Sequence, residues 1–181
     1  MEIQNFINIF LDYIKPGYKV LDLGAGEGKF AQMFLDRGAT VTAVDTKPAA
    51  FQNPALIVKK MKIEDFCASE EGEQYDLVFA RNVIQFLDKS WVYDTLFPWI
   101  DEHLVKGGIF AVETFYQDPE PAFARQMLSL YTVMELSSFL VTETKLYAKE
   151  LYVKQYDYVG LDMSGQMRKF FVSSLIVQKS N

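Results

Sequence analysis

The sequence predicts an α/β fold: a three-layer αβα sandwich around a mostly parallel, seven-stranded sheet with a C-terminal antiparallel hairpin. Three observations predict it. Short apolar runs alternate with segments whose apolar residues recur at helical spacing. A glycine-rich turn follows the first of those runs. Two β-rich runs late in the chain flank a glycine turn.

Ile3, Phe6, Ile7, Phe10 and Ile14 stand at helical spacing, so 2–13 reads as an amphipathic helix stopped by Pro16-Gly17. The apolar run 18–23 is a buried strand, Gly24 to Gly28 a glycine loop, and 29–37 a helix stopped by Gly38. Residues 40–44 form a second strand ending at Asp45, and Pro48 breaks the chain. Strands follow at 56–59 and 76–80, joined through the polar stretch 70–74. A helix over 91–103 carries Pro98, which should kink or split it. Gly107-Gly108 turns into a strand over 109–115, and 117–121, with two prolines, reads as loop. Thr132 and Glu135 have capping-box spacing for a helix through Leu140. A strand over 143–156, a turn at Asp162 to Gly165 and a return strand over 170–178 complete the pattern.

The 181 residues suit one domain spanning the whole chain, with half of them hydrophobic and 23% charged. Net charge is −6, from 18 bases against 24 acids, and no Lys/Arg block stands out. A nucleic-acid partner is therefore not expected. With one Cys, Cys67, and one His, His103, neither an internal disulfide nor a zinc cluster is expected, so no metal site is assigned. No apolar run approaches a membrane span and no signal peptide is visible, so the expectation is a cytoplasmic monomer or homodimer without a membrane partner.

The chemistry concentrates in Val20-Leu21-Asp22-Leu23-Gly24-Ala25-Gly26-Glu27-Gly28, with Asp45 ending the next strand. A strand delivers such a loop to the carboxyl edge of the sheet, where open α/β folds bind ligands. Glycines let backbone approach a ligand closely. An acid at the end of the second strand accepts hydrogen bonds from ribose hydroxyls. The loop reads G-x-G-x-G and carries Glu27, whereas the dinucleotide loop needs glycine at the position of Lys29. A pyrophosphate would be repelled by Glu27; a zwitterionic sulfonium cofactor would not. The plain alternative is a tight strand–helix turn with no ligand.

The motif and the strand–helix order resemble the class I S-adenosylmethionine-dependent methyltransferase family, which has a Rossmann-like fold, and the resemblance covers nearly the whole chain. It implies S-adenosyl-L-methionine as cofactor. It further implies that Asp22, Gly24, Ala25 and Gly26 hold the methionine part, and Asp45 with Thr46 the ribose. Ile63 and Glu64 would stand at the adenine; the family's usual acid just before the apolar residue is replaced here by Lys62. Residues 75–82 resemble the family's fourth-strand segment, whose end, Arg81, lies beside the methyl group. The helix after Tyr131 and the following hairpin resemble the tellurite-resistance methyltransferase branch.

By position, Arg81, Asn82, Gln85, Glu113 and Tyr116 should line the acceptor pocket, with Phe6, Phe10 or Tyr13 of the first helix (1–15) as a lid. Arg81 would bind an anionic group or make an ion pair. His103, at a helix end, is read as structural. The segment after the fourth strand, Arg81-Asn82-Val83-Ile84, lacks the Asn/Asp-Pro-Pro-aromatic motif of base amino-methylation, and Cys67 lacks the Pro-Cys context of cytosine C5 chemistry. The expected activity is in-line methyl transfer to a small molecule. The alternative is a non-catalytic regulator or subunit that binds the same cofactor.

Overall fold

The computed structural model describes residues 2–47, 51–69, 72–120, 127–162 and 164–181. Its strands are β1 (Lys19–Leu23), β2 (Thr40–Asp45), β3 (Leu56–Lys60), β4 (Tyr75–Arg81), β5 (Leu104–Glu120), β6 (Lys149–Leu161) and β7 (Met167–Gln178). They form a single seven-stranded sheet in the order β3-β2-β1-β4-β5-β7-β6. The first five run parallel, and β7 is antiparallel to both β5 and β6.

Helices cover both faces, as the continuous burial along β1, β2, β4 and β5 requires. Helices α1 (Glu2–Asp12) and α2 (Lys29–Leu35) lie on one face. There Phe6, Phe10, Ala31 and Phe34 pack with Val20, Leu77, Phe79 and Ala111. The opposite face carries α3 (Ile63–Ser69), the helical stretch Lys89–His103 and α6 (Val133–Glu143). Phe66, Trp99, Ile100, Leu136 and Leu140 pack there with Leu21, Leu23, Val78 and Phe110. Phe79 is the hub of the first face: its ring meets those of Phe6, Phe10, Phe30 and Phe34 at 4.9–6.0 Å.

Several boundaries differ from the sequence reading. The helix around Pro98 is not split in two, and a π-helical turn takes up the expected irregularity. The helix runs from α4 (Lys89–Trp91) through this turn (Val92–Leu96) into α5 (Phe97–His103). The wider turn, in which the Phe97 N–H reaches back to Val92 O, precedes the residue that has no N–H to give. Strand β5 runs on through Gln117–Glu120, read above as loop. Pro119 is accommodated there because the β5–β7 register shifts between Phe115 and Gln117 and again between Gln117 and Glu120. Helix α6 continues to Glu143, where a strand was expected. The Thr142 and Thr144 hydroxyls donate back to Ser138 O and Leu140 O, and β6 begins only at Lys149. Thr132 caps α6 by accepting from the Glu135 N–H at 3.2 Å. Pro48, Glu70, Glu71, Pro121 and Met163, on which parts of the loop and turn readings fall, lie outside the described residues.

Phe79→Ala should lower unfolding free energy by about 3–5 kcal/mol, since it empties a fully buried aromatic hub. Urea unfolding followed by circular dichroism measures this.

Candidate functional site

Strand order reverses at β1: the connection from β1 leads to β2 on one side, and β4 lies on the other. The carboxyl ends of β1 and β4 therefore open a crevice, the place where open α/β sheets bind ligands. Period-two alternation then determines which side chains meet there. Asp22, Arg81 and Glu113 each stand two residues past a buried residue of the α1/α2 face, namely Val20, Phe79 and Ala111. The pairings Asp22↔Phe79 and Arg81↔Glu113 bring them along one edge.

The glycine loop is tied to β2. The Gly24 and Ala25 N–H groups donate to Val44 O at 2.8 and 3.2 Å, and the Gly26 N–H donates to Asp45 Oδ2 at 2.9 Å. Gly24 has φ +73°, and a Cβ there would stand 2.5 Å from Val83 Cγ2. The loop after β1 thus touches the loop after β4, and only glycine permits it. A Cβ on Gly26 would meet nothing within 4 Å, so the loop has open space beside it.

Asp22 is 2% exposed, and its Oδ2 has no hydrogen-bond partner. Burial, then the charge of Asp45, pushes its carboxyl up to about 7. Such an atom invites a cationic donor. Asp45 is half-buried. Its Oδ1 accepts from the Lys47 N–H at 2.9 Å, and Thr46 Oγ1 lies 3.5 Å from the same oxygen. Oδ2 accepts only the Gly26 N–H, so a lone pair remains there for a ribose hydroxyl. Ile63 and Glu64 open α3, Ile63 buried and Glu64 half-buried, while Lys62 is exposed. An orphaned buried carboxylate, open space at a glycine loop and an acid ending β2 fit a nucleoside cofactor that carries an ammonium group.

Of the five expected acceptor-pocket residues, Arg81, Asn82 and Glu113 meet at the ends of β4 and β5, whereas Gln85 is bonded to Thr114, whose side chain alternates to the other face of the sheet. Arg81 Nε donates to Glu113 Oε1 at 2.6 Å, with side chains 15% and 1% exposed. Glu113 Oε2 accepts from Tyr156 OH at 3.1 Å and Ser174 Oγ at 2.8 Å. Asn82 has φ +52°, donates its N–H to Glu113 O and leaves Oδ1 buried without a partner. Gln85 is fully buried: its Oε1 accepts from Thr114 Oγ1 at 3.0 Å, and its Nε2 is unpartnered. Tyr116 stands apart, its ring edge-on to Phe171 at 5.8 Å. Beyond Glu113, Phe115, Met127, Tyr156, Phe170 and Val172 form a separate apolar cluster, with Phe86 and Tyr158 against it.

Phe6 and Phe10, expected as lid residues, are fully buried against the sheet, and Tyr13 packs at the margin of the same cluster. The amphipathic stripe of α1 packs into the core through these two phenylalanines. His103 is structural as read: Nδ1 lies 2.8 Å from Trp99 O, and its ring stacks on Trp99 at 3.9 Å. Burial pushes the Cys67 thiol up to about 12, which removes it as a nucleophile at neutral pH. Among the described residues there is no cluster of three metal-ligating side chains, and no helix is long and apolar enough to cross a membrane. A groove of about 440 Å³ lined by Phe51, Pro54, Leu56 and Val58 lies at the amino end of β3, the opposite edge from the glycine loop.

Sequence reasoning missed Tyr156 and Ser174 as partners of Glu113, Val83 as the neighbour of Gly24, and Phe30 beneath Arg81. A signal for the first existed: Glu113 and Ser173-Ser174 interrupt otherwise apolar strands, and buried polar residues need each other.

Strand order and glycine loop define an α/β protein that holds its ligand at a topological switch point. The sequence model of the family described as "Methyltransferase domain" matches residues 2–144. The chain belongs to this family and is an S-adenosylmethionine-dependent methyltransferase. It is 21% identical over 171 residues to "Ribosomal RNA large subunit methyltransferase E" of Wolbachia pipientis wMel, covering 88% of this chain and 86% of the relative. TehB from Haemophilus influenzae superposes with a TM-score of 0.73 at 18% identity, covering 98% of this chain; the chain spans 62% of TehB. The 1,6-didemethyltoxoflavin-N1-methyltransferase of Burkholderia thailandensis, solved with 1,6-didemethyltoxoflavin and S-adenosylhomocysteine, superposes with a TM-score of 0.64 at 18% identity, covering 99% of this chain and 78% of that one. At the level of the fold, TehB matches the resemblance drawn from the C-terminal pattern.

Two predictions test the geometry. If the buried Asp22 carboxyl, raised to about 7, is to hold the ammonium group of S-adenosylhomocysteine, it must first lose its proton, so affinity should fall about tenfold per pH unit below that value. The raised group also stabilises the folded state below its unfolded value of 3.8, a contribution lost as pH rises through about 7. Asp22→Asn should therefore flatten both the affinity profile and the pH dependence of the ligand-free Tm, as read by calorimetry. Gly24→Ala should cost about 1–3 kcal/mol, with Gly24→Ala/Val83→Ala recovering the packing part, as read by urea unfolding.

Proposed function

We propose that this chain transfers the methyl group of S-adenosyl-L-methionine to a small-molecule acceptor by in-line displacement. The observation that carries the reading is the unpartnered, buried carboxylate of Asp22 beside a glycine loop anchored to Asp45. When bound, the cofactor supplies a methyl group on a sulfonium, already an activated leaving group. Asp22 pairs with its ammonium group. Gly24, Ala25 and Gly26 let the methionine part lie close to the loop, Asp45 and Thr46 take the ribose hydroxyls, and Ile63 and Glu64 border the adenine. Asn82, with an unpartnered polar atom, orients the acceptor after β4.

Burial pushes the phenols of Tyr156 and Tyr158 up, so neither is a base at neutral pH. This supports an acceptor atom that needs no general base. A small acceptor is supported by the apolar cluster beyond Glu113 and by a net charge of −6, which disfavours a polyanion. The Burkholderia relative's small ligand supports it too. The Wolbachia relative's name makes ribosomal RNA the competing acceptor. Lys62 in place of an adenine-side acid keeps a non-catalytic, cofactor-binding role as the second reading.

Calorimetric titration should show saturable binding of S-adenosylmethionine and S-adenosylhomocysteine, at least tenfold weaker in Asp45→Ala, and none of NADH. With tritiated cofactor and cell extract, label should enter the small-molecule fraction. Label confined to RNA or protein would overturn the acceptor class, and binding without turnover would favour the regulator.

A further inference from the structure

Arg81 is held more tightly, and used less fully, than an ion pair requires. Its Cζ lies 4.9 Å from the centroid of Phe30, in the first turn of α2 just after the glycine loop. On its other side Nε is bound to Glu113. Glu113 is itself satisfied by Tyr156 and Ser174, so its charge does not depend on Arg81 alone. Arginine has five N–H donors, arranged so that two parallel ones fit a carboxylate. Only Nε–H is engaged: among the described residues neither Nη has a hydrogen-bond partner, and neither is a buried orphan. The guanidinium is thus fixed in orientation by a π face and a carboxylate while its outer edge stays open. Such preorganisation lowers the entropic cost of binding.

The open edge has a planar, apolar wall beside it. The Tyr158 ring packs against that of Tyr156, centroids 6.2 Å apart, and the Tyr156 OH is bound to the same Glu113 that holds Arg81. The Tyr158 ring stacks on Phe170 at 4.9 Å, and Phe170 stacks on Phe115 at 6.0 Å. These rings belong to β5, β6 and β7 beyond the Glu113 pairing. A cation with a free fork next to a stack of rings matches a flat molecule with a carboxylate at one end.

We propose that Arg81 is a carboxylate receptor, and that the methyl acceptor is a small planar carboxylic acid whose acid group sits on Arg81 and whose ring lies against Tyr158, which Phe170 backs. This rests on the methyltransferase reading of the same crevice. The carboxylate of the cofactor's own methionine part offers the same chemistry, and the experiment separates the two sources.

The probes are benzoate, with benzamide as its uncharged control, S-adenosylhomocysteine, and 5′-methylthioadenosine, which lacks the amino-acid end. Each is titrated calorimetrically into wild type, Arg81→Met, Arg81→Lys and Arg81→Met/Glu113→Gln. The double variant removes both charges of the buried pair, so it stays testable if Arg81→Met alone unfolds by circular dichroism. Benzoate should bind with S-adenosylhomocysteine present, benzamide much more weakly. Arg81→Met or the double variant should weaken benzoate about tenfold or more, with Arg81→Lys intermediate, while S-adenosylhomocysteine changes less than threefold. A loss confined to S-adenosylhomocysteine, sparing methylthioadenosine, would keep Arg81 as a carboxylate receptor and overturn the acceptor class. Unchanged binding of every probe would overturn the proposal and leave the methyltransferase reading standing. Arg81-dependent benzoate binding by a protein that binds no adenosyl ligand would overturn the methyltransferase reading, and the acceptor role with it, leaving Arg81 as a carboxylate receptor only. If wild type binds none of the probes, both fall.

Discussion

Strand β1 is held between β2 and β4, and its loop cannot move without dragging both. The Gly24 and Ala25 N–H groups are bound to the end of β2, while the missing Cβ of Gly24 lets Val83, after β4, press against the loop. The crevice therefore has fixed walls before any ligand enters. Its position follows from strand order alone. Its chemistry follows from parity, because Asp22, Arg81 and Glu113 continue the alternation that buries Val20, Phe79 and Ala111.

The two buried carboxylates along this edge are handled in opposite ways. Glu113 is buried and fully met, by Arg81, Tyr156 and Ser174. Asp22 is buried and left with an unmet oxygen. A desolvated carboxyl without a partner destabilises the ligand-free fold, and the dense ring packing around Phe79 offsets it. The unmet atom belongs to the strand that feeds the glycine loop, and the satisfied network lies at the ends of β4 and β5. This asymmetry marks where a positively charged ligand group completes the structure.

Much of this was legible in the residues. The β1–loop–α2 unit, Asp45 at the end of β2, and the late hairpin all rest on local signals: an apolar run, glycines at short spacing, a turn sequence. The order of layers follows from alternation of periods. What could not be read depends on register between distant strands. Strand order places Arg81 and Glu113 in one neighbourhood, but their ion pair and the Tyr156 bond to Glu113 are set by pairings across β4, β5, β7 and β6. Phe6 and Phe10 look the same in sequence whether an amphipathic helix caps a pocket or builds a core. The bounds of α6 and β5 were misread because threonine and proline signals were weighed locally. In the structure, threonine hydroxyls extend the helix and a shifted register admits Pro119.

Strand β7 lies between β5 and β6 yet follows both in the chain. As the polypeptide leaves the ribosome, the cofactor side of the crevice can assemble from β1 to β4, but β6 emerges before its one neighbour in the sheet has been made. Until β7 slots in, β5 keeps a bare flank, and the rings of Phe115 and Tyr156 have no Phe170 or Val172 to cover them. A nascent chain at that stage offers unpaired strand flanks and exposed aromatic surface together, the combination that invites misassociation. The wall that would select an acceptor is thus also the last part of the sheet to be protected.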